Sequence, residues 1–172
     1  MSELTVTQSS REIISTPISV RQKIENLQTE LLKMPQADIQ TIHTFAFGKY
    51  YRTIVVPPWV VLTGAAHKTD YKVRLEKGKI AVNVDDKIKI LEAPCEFDAA
   101  AGAQRAGRVF EEEVVWTDVY ENPDDCTDID VLEDRLYVVP ECGLGSNRPR
   151  LANESNQAKQ LAYEGDITWL DS

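Results

Sequence analysis

The sequence has few of the features that mark membrane, secreted or nucleic-acid-binding proteins. Its 172 residues include 19 Lys and Arg against 28 Asp and Glu, which gives a formal net charge of −9. Binding to DNA requires clustered basic side chains that displace counterions, so no nucleic-acid partner is expected. No apolar run approaches the roughly 20 residues that span a membrane, and residues 1–12 have no apolar core of the signal-peptide type. We therefore expect synthesis in the cytoplasm and no membrane partner.

Cysteine is also scarce, and the common catalytic motifs are missing. The three cysteines, Cys95, Cys126 and Cys142, include no CxxC pair and cannot all pair with one another. Free thiols are the expectation in a reducing compartment, and a structural zinc site would need four clustered ligands. The sequence contains no glycine-rich phosphate loop, nucleophile elbow or HExxH motif. No standard motif therefore predicts catalytic residues.

The length suits one domain of ordinary size, because two well-packed domains need more residues. Hydrophobic residues make up 42% of the chain and charged residues 27%, values typical of globular proteins. Changes in sequence pattern divide the chain into an N-terminal arm (1–17), a helix (18–35), a β-rich region with a trailing helix (39–140) and a C-terminal tail (141–172).

The first helix is predicted from its capping and its apolar spacing. Ser19 and Gln22 have the spacing of a capping box, and Pro35 ends the helix. Three apolar residues recur at intervals of three and four: Ile24, Leu27 and Leu31. This stripe either packs on its own domain or is presented to a partner chain, and both alternatives stay open.

The β-rich region follows from residue 39. Short β-branched segments around Thr53 and Val55, and at 73–75, 80–84, 88–91 and 114–119, are candidate strands. The acidic pair at 85–86 is predicted to be the turn of a hairpin. Many short strands separated by turns indicate a sandwich or a barrel.

A second helix and two apolar terminal patches complete the pattern. Thr127 is predicted to cap the helix, with Asp128 and Asp130 in its first turn. Apolar pairs in the arm and the tail are candidate interface residues, because large apolar side chains are common at interfaces. These are Ile13, Ile14, Trp169 and Leu170.

Six pieces between His43 and Leu136 occur in a recognisable order: HTFAFGKYYRTIVVP, VLTGAAHKTDY, VRLEKGKIAV, APCEF, AAAGAQRAG and VVWTDVY. Together they resemble the cupin-like β-barrel proteins encoded by tailed bacteriophages. The resemblance covers somewhat more than half of the chain. It implies a mostly β fold, a cupin-like double-stranded β-helix or jelly roll whose mouth holds a small pocket.

The resemblance also implies a metal centre that this chain does not retain. Metal-binding cupins use H-x-H followed by Glu, and then P-x-G-x-x-H, so that three His and one Glu bind a divalent ion. Here His67 takes the first His position, Thr69 the second, Tyr71 the Glu position and Arg105 the last His. A guanidinium repels a cation and stays protonated. We therefore expect no metal, no cofactor and no enzymatic activity.

The polar residues at and near these motif positions are expected to line a pocket: His67, Asp70, Tyr71, Glu76 and Arg105. Arg105 suits a carboxylate or phosphate because it can form two parallel hydrogen bonds. In the alternative interpretation, Arg105 simply pairs with Asp70 or Glu76 inside the barrel mouth.

Three functions fit these expectations. The first is a non-enzymatic virion structural or accessory protein, whose partners are other phage subunits or a second copy of itself. The second is a protein that binds or sequesters a small anionic nucleotide or sugar metabolite. The third, the least favoured, is a metal-dependent cupin enzyme. The expected location is the host cytoplasm at synthesis, and the virion if the protein is structural.

Overall fold

The computed structural model describes residues 18–84 and 87–138, and for Ile18 the backbone alone. Within these ranges a helix is followed by nine strands and a second helix. In chain order they are α1 (Ile18–Leu31), β1 (Gln40–Ala46), β2 (Lys49–Val56), β3 (Val61–Thr63), β4 (Tyr71–Lys77), β5 (Lys79–Val84), β6 (Lys87–Glu92), β7 (Cys95–Ala99), β8 (Ala106–Val109), β9 (Val114–Glu121) and α2 (Ile129–Leu136).

The strands form two antiparallel sheets with the connectivity of a jelly roll. The larger sheet has the order β1-β2-β9-β4-β7, and the smaller has the order β3-β8-β5-β6. Strand β2 pairs with β9, β3 with β8, β4 with β7 and β5 with β6. This nested pairing is a long hairpin rolled into a double-stranded β-helix, with β1 added at one edge. The fold predicted from the sequence is confirmed.

The register of β2 and β9 arranges the interior in layers. Alternate residues of the two strands point between the sheets, because side chains of a strand alternate between its faces. The directly opposed inward pairs, in order along β2, are Tyr50 with Tyr120, Arg52 with Asp118, Ile54 with Trp116, and Val56 with Val114. Aromatic and apolar side chains occupy three of these layers, and one layer carries two charged residues.

Helix α1 packs on its own domain. Ile24 and Leu31 are fully buried in the chain, Ile24 in a cluster with Ala106 and Leu31 against Val61. Of the two alternatives left open for this stripe, Ile24 and Leu31 follow packing on their own domain, since neither side chain is exposed. Leu27 packs in the same clusters but stays half-buried, and an interface role for these three residues stays a prediction.

The predicted capping box is absent. Ser19 lies inside α1, and Gln22 donates a hydrogen bond to Asn26 Oδ1 (3.1 Å) one turn further on. A side chain four residues away in a helix is a close neighbour, and this contact replaces the expected one.

Helix α2 begins one residue later than predicted. Asp128, not Thr127, is the N-cap, and its carboxylate accepts hydrogen bonds from the backbone amides of Asp130 (3.1 Å) and Val131 (3.3 Å). A charged acceptor favours the helix N-terminus more strongly than a hydroxyl, which explains the shift.

Several sequence-based expectations fall outside the described residues. They concern the arm and the tail, the turn at 85–86 and four predicted interface residues: Ile13, Ile14, Trp169 and Leu170. Val84 pairs with Lys87, so the β5–β6 hairpin itself is present. None of the helices formed by the described residues has the length and apolar character needed to cross a membrane.

Candidate functional site

A cavity of about 110 Å³ lies between the two sheets. Much of its wall is apolar and comes from both sheets, including Ile54, Val56, Leu62, Ile80, Val82 and Val114. Ligand sites are typically concave and mostly apolar, with a few polar groups that fix orientation. The polar side chains in this wall therefore decide what the cavity can bind.

Arg52, on β2, is a buried cation in the cavity wall. Its side chain is among the buried charged groups, with 8% of its surface exposed. The guanidinium carbon lies 5.9 Å from the centre of the Tyr137 ring. Among the described residues, Arg52 donates no hydrogen bond and forms no salt bridge, and its Nε is buried without a partner. Buried charges in proteins are normally paired and hydrogen-bonded, so this arrangement is unusual.

Asp118, directly opposite Arg52, binds other residues. Its Oδ1 accepts a hydrogen bond from Trp116 Nε1 (2.8 Å), and its Oδ2 accepts one from the Tyr120 hydroxyl (3.2 Å). His67 Nε2 lies 3.8 Å from the same Oδ2. Burial alone would raise the pKa of Asp118, but His67, Trp116 and the nearby Arg52 charge hold that pKa below its usual value. The carboxylate is therefore stabilised as an anion without a direct bond to Arg52.

Both ring nitrogens of His67 are engaged. Nδ1 lies 3.2 Å from the carbonyl oxygen of Ala103, which can only accept, so Nδ1 carries a hydrogen. Nε2 lies 2.9 Å from the Tyr120 hydroxyl. The imidazole also stacks on Tyr71, with ring centres 3.9 Å apart. These contacts fix the imidazole among the rings of Tyr71, Tyr120 and Tyr137, which together form the aromatic end of the barrel.

Arg105 provides a second guanidinium, which is held more firmly than that of Arg52. Its Nη1 donates to the carbonyl oxygen of Asn83 (2.7 Å), and its guanidinium carbon lies 5.2 Å from the centre of the Phe97 ring. Burial raises the pKa of the nearby Tyr71 hydroxyl, and the Arg105 charge only partly opposes this. The Nε of Arg105 is buried without a partner. The Nη1 atom of Arg105 is therefore held by the protein, while its Nε has a hydrogen available for a further contact.

Two neutral polar groups complete the lining. Gln28 comes from α1 and Thr63 from β3, and both are buried at the cavity. The Oε1 of Gln28 and the Oγ1 of Thr63 have no hydrogen-bond partner among the described residues. Together with Arg52 and Arg105, they give the cavity four polar side chains with unused hydrogen-bonding capacity.

The structure brings together three of the five predicted pocket residues. His67, Tyr71 and Arg105 line the cavity. Asp70 is exposed and accepts a hydrogen bond from the Ala101 amide (2.8 Å). Glu76 is exposed on the outer face of the larger sheet, where it accepts from Thr117 Oγ1 (3.2 Å).

Neither acid bonds to Arg105, so the predicted pairing inside the mouth is not found. The ligand-binding role of the five residues stays a prediction.

The polar cavity residues missed by the sequence analysis include Arg52, Asp118, Gln28 and Thr63. A signal existed for Arg52 and Asp118. The segment KYYRTIVV places Arg52 on the same face as Tyr50, Ile54 and Val56, so a charge stands in an apolar row. Asp118 interrupts the corresponding row of β9 in the same way.

The described residues do not fit the metal centre that the cupin resemblance implies. No group of three or more His, Cys, Asp or Glu side chains gathers anywhere in residues 18–84 and 87–138. His67 Nε2 already contacts Tyr120, and Arg52 and Arg105 place two positive charges on the same cavity. Such a donor set disfavours a cation.

Comparison with known proteins finds solved structures with similar folds. The sequence matches no protein-family model and no curated protein. Similar solved structures include KdgF from Halomonas sp., with 12% identity and a TM-score of 0.43 over 52% of this chain and 87% of that one. The cupin domain of Schizosaccharomyces pombe Cnp3 has 12% identity and a TM-score of 0.43 over 54% of this chain and 66% of that one.

An RmlC-like cupin from Shewanella frigidimarina NCIMB 400 is also similar, with 17% identity and a TM-score of 0.41 over 56% of this chain and 88% of that one. The strand order makes the barrel a jelly roll, and similarities at this level assign neither a family nor an activity.

Proposed function

We propose that this protein binds a small anionic molecule in its barrel cavity and is not an enzyme. The observation that carries the proposal is the guanidinium of Arg52, which is buried at the cavity and has no bonded partner among the described residues. A bound carboxylate or phosphate would supply the hydrogen bonds that this cation lacks.

The surroundings of Arg52 support binding of an anion over a structural ion pair. Taking a charge out of water costs on the order of several kcal/mol in a protein unless a partner offsets it. Asp118 stands opposite but bonds to Trp116 and Tyr120. Arg105, on the same cavity, adds a second positive charge. The cavity thus concentrates positive charge where a small ligand can reach it.

The state of the polar residues supports a binding role without turnover. Both ring nitrogens of His67 are engaged within the fold, by Ala103 and Tyr120, so the contacts of the imidazole are those of a residue that holds the barrel together. Burial raises the pKa of Tyr71 and Tyr137, so both hydroxyls stay protonated.

A panel of anions tests the proposal. We expect at least one class among carboxylates, sugar phosphates and nucleotides to raise the melting temperature of the wild type at constant ionic strength. Arg52→Met should lose the effect, while the control Arg74→Met should keep it, because Arg74 is bonded to Glu96 on the outer face. The proposal fails if no anion stabilises the wild type and native mass spectrometry finds no co-purified small molecule.

The phage origin and the virion role implied by the resemblance stay predictions, as does self-association. The terminal residues on which they depend lie outside the described part of the chain. Mass spectrometry of purified particles would test the virion role, and absence of the protein from them would exclude it.

A further inference from the structure

We infer that the ligand is a monocarboxylate with a compact apolar body, and that its carboxylate binds Arg52 while its body lies on the apolar layers beside it. This inference rests on the proposed function and names its ligand class. Three properties of the cavity support it: its size, the charge of its wall and the order of its layers.

The size of the cavity limits how much of a ligand the barrel can enclose. A water-sized group needs about 10–15 Å³ of such volume, so a cavity of about 110 Å³ holds about seven to eleven groups of this size. A complete nucleotide has roughly twice that many non-hydrogen atoms and does not fit inside. A benzoate or a branched six-carbon acid does.

The charge of the wall favours a single negative charge. Arg52 and Arg105 contribute two positive charges and Asp118 one negative charge, so these three residues leave a net charge of +1. The pKa of Asp118 is held low, which keeps its carboxylate ionised at neutral pH. A monocarboxylate neutralises this wall, whereas a dianionic phosphate would bring excess negative charge close to Asp118.

The order of the layers separates a charged end from an apolar end. The Arg52 layer is followed along β2 by Ile54, which faces Trp116, and then by Val56, which faces Val114. Residues two and four positions along a strand lie about 7 and 13 Å away. A ligand whose carboxylate binds Arg52 therefore places the next several ångströms of its length against apolar side chains.

The apolar end offers few groups that could bind sugar hydroxyls. Ile54, Val56 and Val114 belong to its layers, and none of them forms hydrogen bonds through its side chain. Besides the charged groups, Gln28 and Thr63 are the cavity side chains with free acceptor atoms among the described residues, too few for the several hydroxyls of a sugar. Burying the hydroxyls of a sugar against the apolar side chains would leave those hydroxyls unpaired, which is costly. An aliphatic or phenyl body gains from the same contacts.

Isothermal titration calorimetry with defined probes tests this inference. The probes are benzoate and 4-methylpentanoate, with the neutral benzamide and 4-methylpentanamide as matched controls. Acetate tests the carboxylate without a body, and inorganic phosphate and glucose 6-phosphate test the other anions. We expect the two acids to bind about tenfold to a hundredfold more tightly than their amides, the range expected for one charge-assisted hydrogen-bonding contact.

Two variants locate the two ends of the ligand. Arg52→Met should reduce benzoate binding by about tenfold or more, whereas Arg74→Met on the outer face should leave it unchanged. Ile54→Ala enlarges the apolar end and should shift the preference from benzoate towards a bulkier acid such as 4-tert-butylbenzoate. Circular dichroism establishes that each variant is folded.

Each outcome has one meaning. Tighter binding of glucose 6-phosphate or inorganic phosphate than of benzoate overturns this inference and leaves the proposed function standing. Equal binding of acetate and benzoate overturns the role of the apolar layers. Unchanged benzoate binding by Arg52→Met overturns the assignment of the charged end. If no anion binds at all, both the inference and the proposed function fail.

Discussion

Arg52 and Asp118 are direct partners across β2 and β9, yet the carboxylate bonds to Trp116 and Tyr120 instead of the guanidinium. Opposite charges in this position of an antiparallel pair usually attract each other. Here the hydrogen bonds of Asp118 are taken up within its own strand, since Trp116 and Tyr120 both lie on β9. The Asp118 carboxylate therefore has hydrogen-bond partners, whereas the Arg52 guanidinium has donors that bond to none of the described residues.

Replacing Arg52 with Met should cost the ligand-free protein less than the roughly 3–5 kcal/mol that breaking a bonded buried ion pair costs, because the guanidinium has no hydrogen-bonded partner among the described residues and acts on Asp118 only through its charge. Urea denaturation of protein freed of bound small molecules measures this. The control Arg74→Met removes an exposed pair with Glu96 and should cost less than about 1 kcal/mol. A loss of about 3–5 kcal/mol in Arg52→Met would show that the protein itself satisfies the guanidinium.

Removing the hydroxyl of Tyr120 should destabilise the aromatic end of the barrel. This hydroxyl lies 2.9 Å from His67 Nε2, 3.2 Å from Asp118 Oδ2 and 3.0 Å from the Tyr137 hydroxyl. Tyr120→Phe leaves buried polar atoms with fewer partners, which costs about 1–3 kcal/mol.

Tyr51→Phe is the matched control for Tyr120→Phe, because Tyr51 is only half-buried and its ring faces Arg74 on the outside. Equal free energies of unfolding for the two variants would contradict a central role of the Tyr120 hydroxyl.

The low pKa of Asp118 predicts a pH dependence of stability. A carboxyl whose pKa is lower in the folded than in the unfolded state stabilises the fold above its unfolded value, here 3.8, and loses that contribution as the pH falls through the folded value. The difference in unfolding free energy between wild type and Asp118→Asn should therefore be constant near neutral pH and shrink below about pH 3.8.

Other carboxyls do not disturb that comparison. The pKa values of Glu96 and Asp124 are also lowered, by their contacts with Lys72 and Arg135, but both residues titrate in wild type and variant alike. Urea denaturation from pH 7 to 3 measures the difference. A difference that grows as the pH falls would have the wrong sign.

Gly78 should tolerate no side chain. Its φ is +85°, and a Cβ there would collide with the carbonyl oxygen of Glu113 and lie 2.9 Å from Val114 Cγ2. Gly78→Ala should cost more than about 2 kcal/mol, from left-handed backbone strain and this collision together. Gly48 has a φ of +69°, but a Cβ added there would meet no atom within 4 Å, so Gly48→Ala isolates the backbone strain. Equal losses in the two variants would remove the steric argument.

The strands with strong local signals were predictable. β-branched residues in alternation marked β4, β5, β6 and β9, and all four are present in the structure. The short strands β3 and β8 were not assigned, because VLT is only three residues long and AGRV contains residues that strands disfavour. They are strands because they pair with each other and because β8 also pairs with β5, which no local pattern reveals.

The candidate site was only partly predictable. The cupin motif positions pointed to His67, Tyr71 and Arg105, but two acids near them, Asp70 and Glu76, are exposed. Arg52 lies far from any motif and enters the cavity through the alternation of β2. Gln28 enters it from α1, and its position depends on how that helix packs.

The nested pairing of the strands has a consequence for biosynthesis. In the larger sheet β2 lies between β1 and β9, and β9 comes roughly sixty residues later in the chain. Those residues must leave the ribosome before β2 and β9 can pair. Until then the inward-pointing side chains of β2, from Tyr50 to Val56, lack their partners on β9. Pairings so distant in sequence form slowly and expose strand edges meanwhile. A nascent chain that stalls before β9 would therefore be a natural target for chaperones.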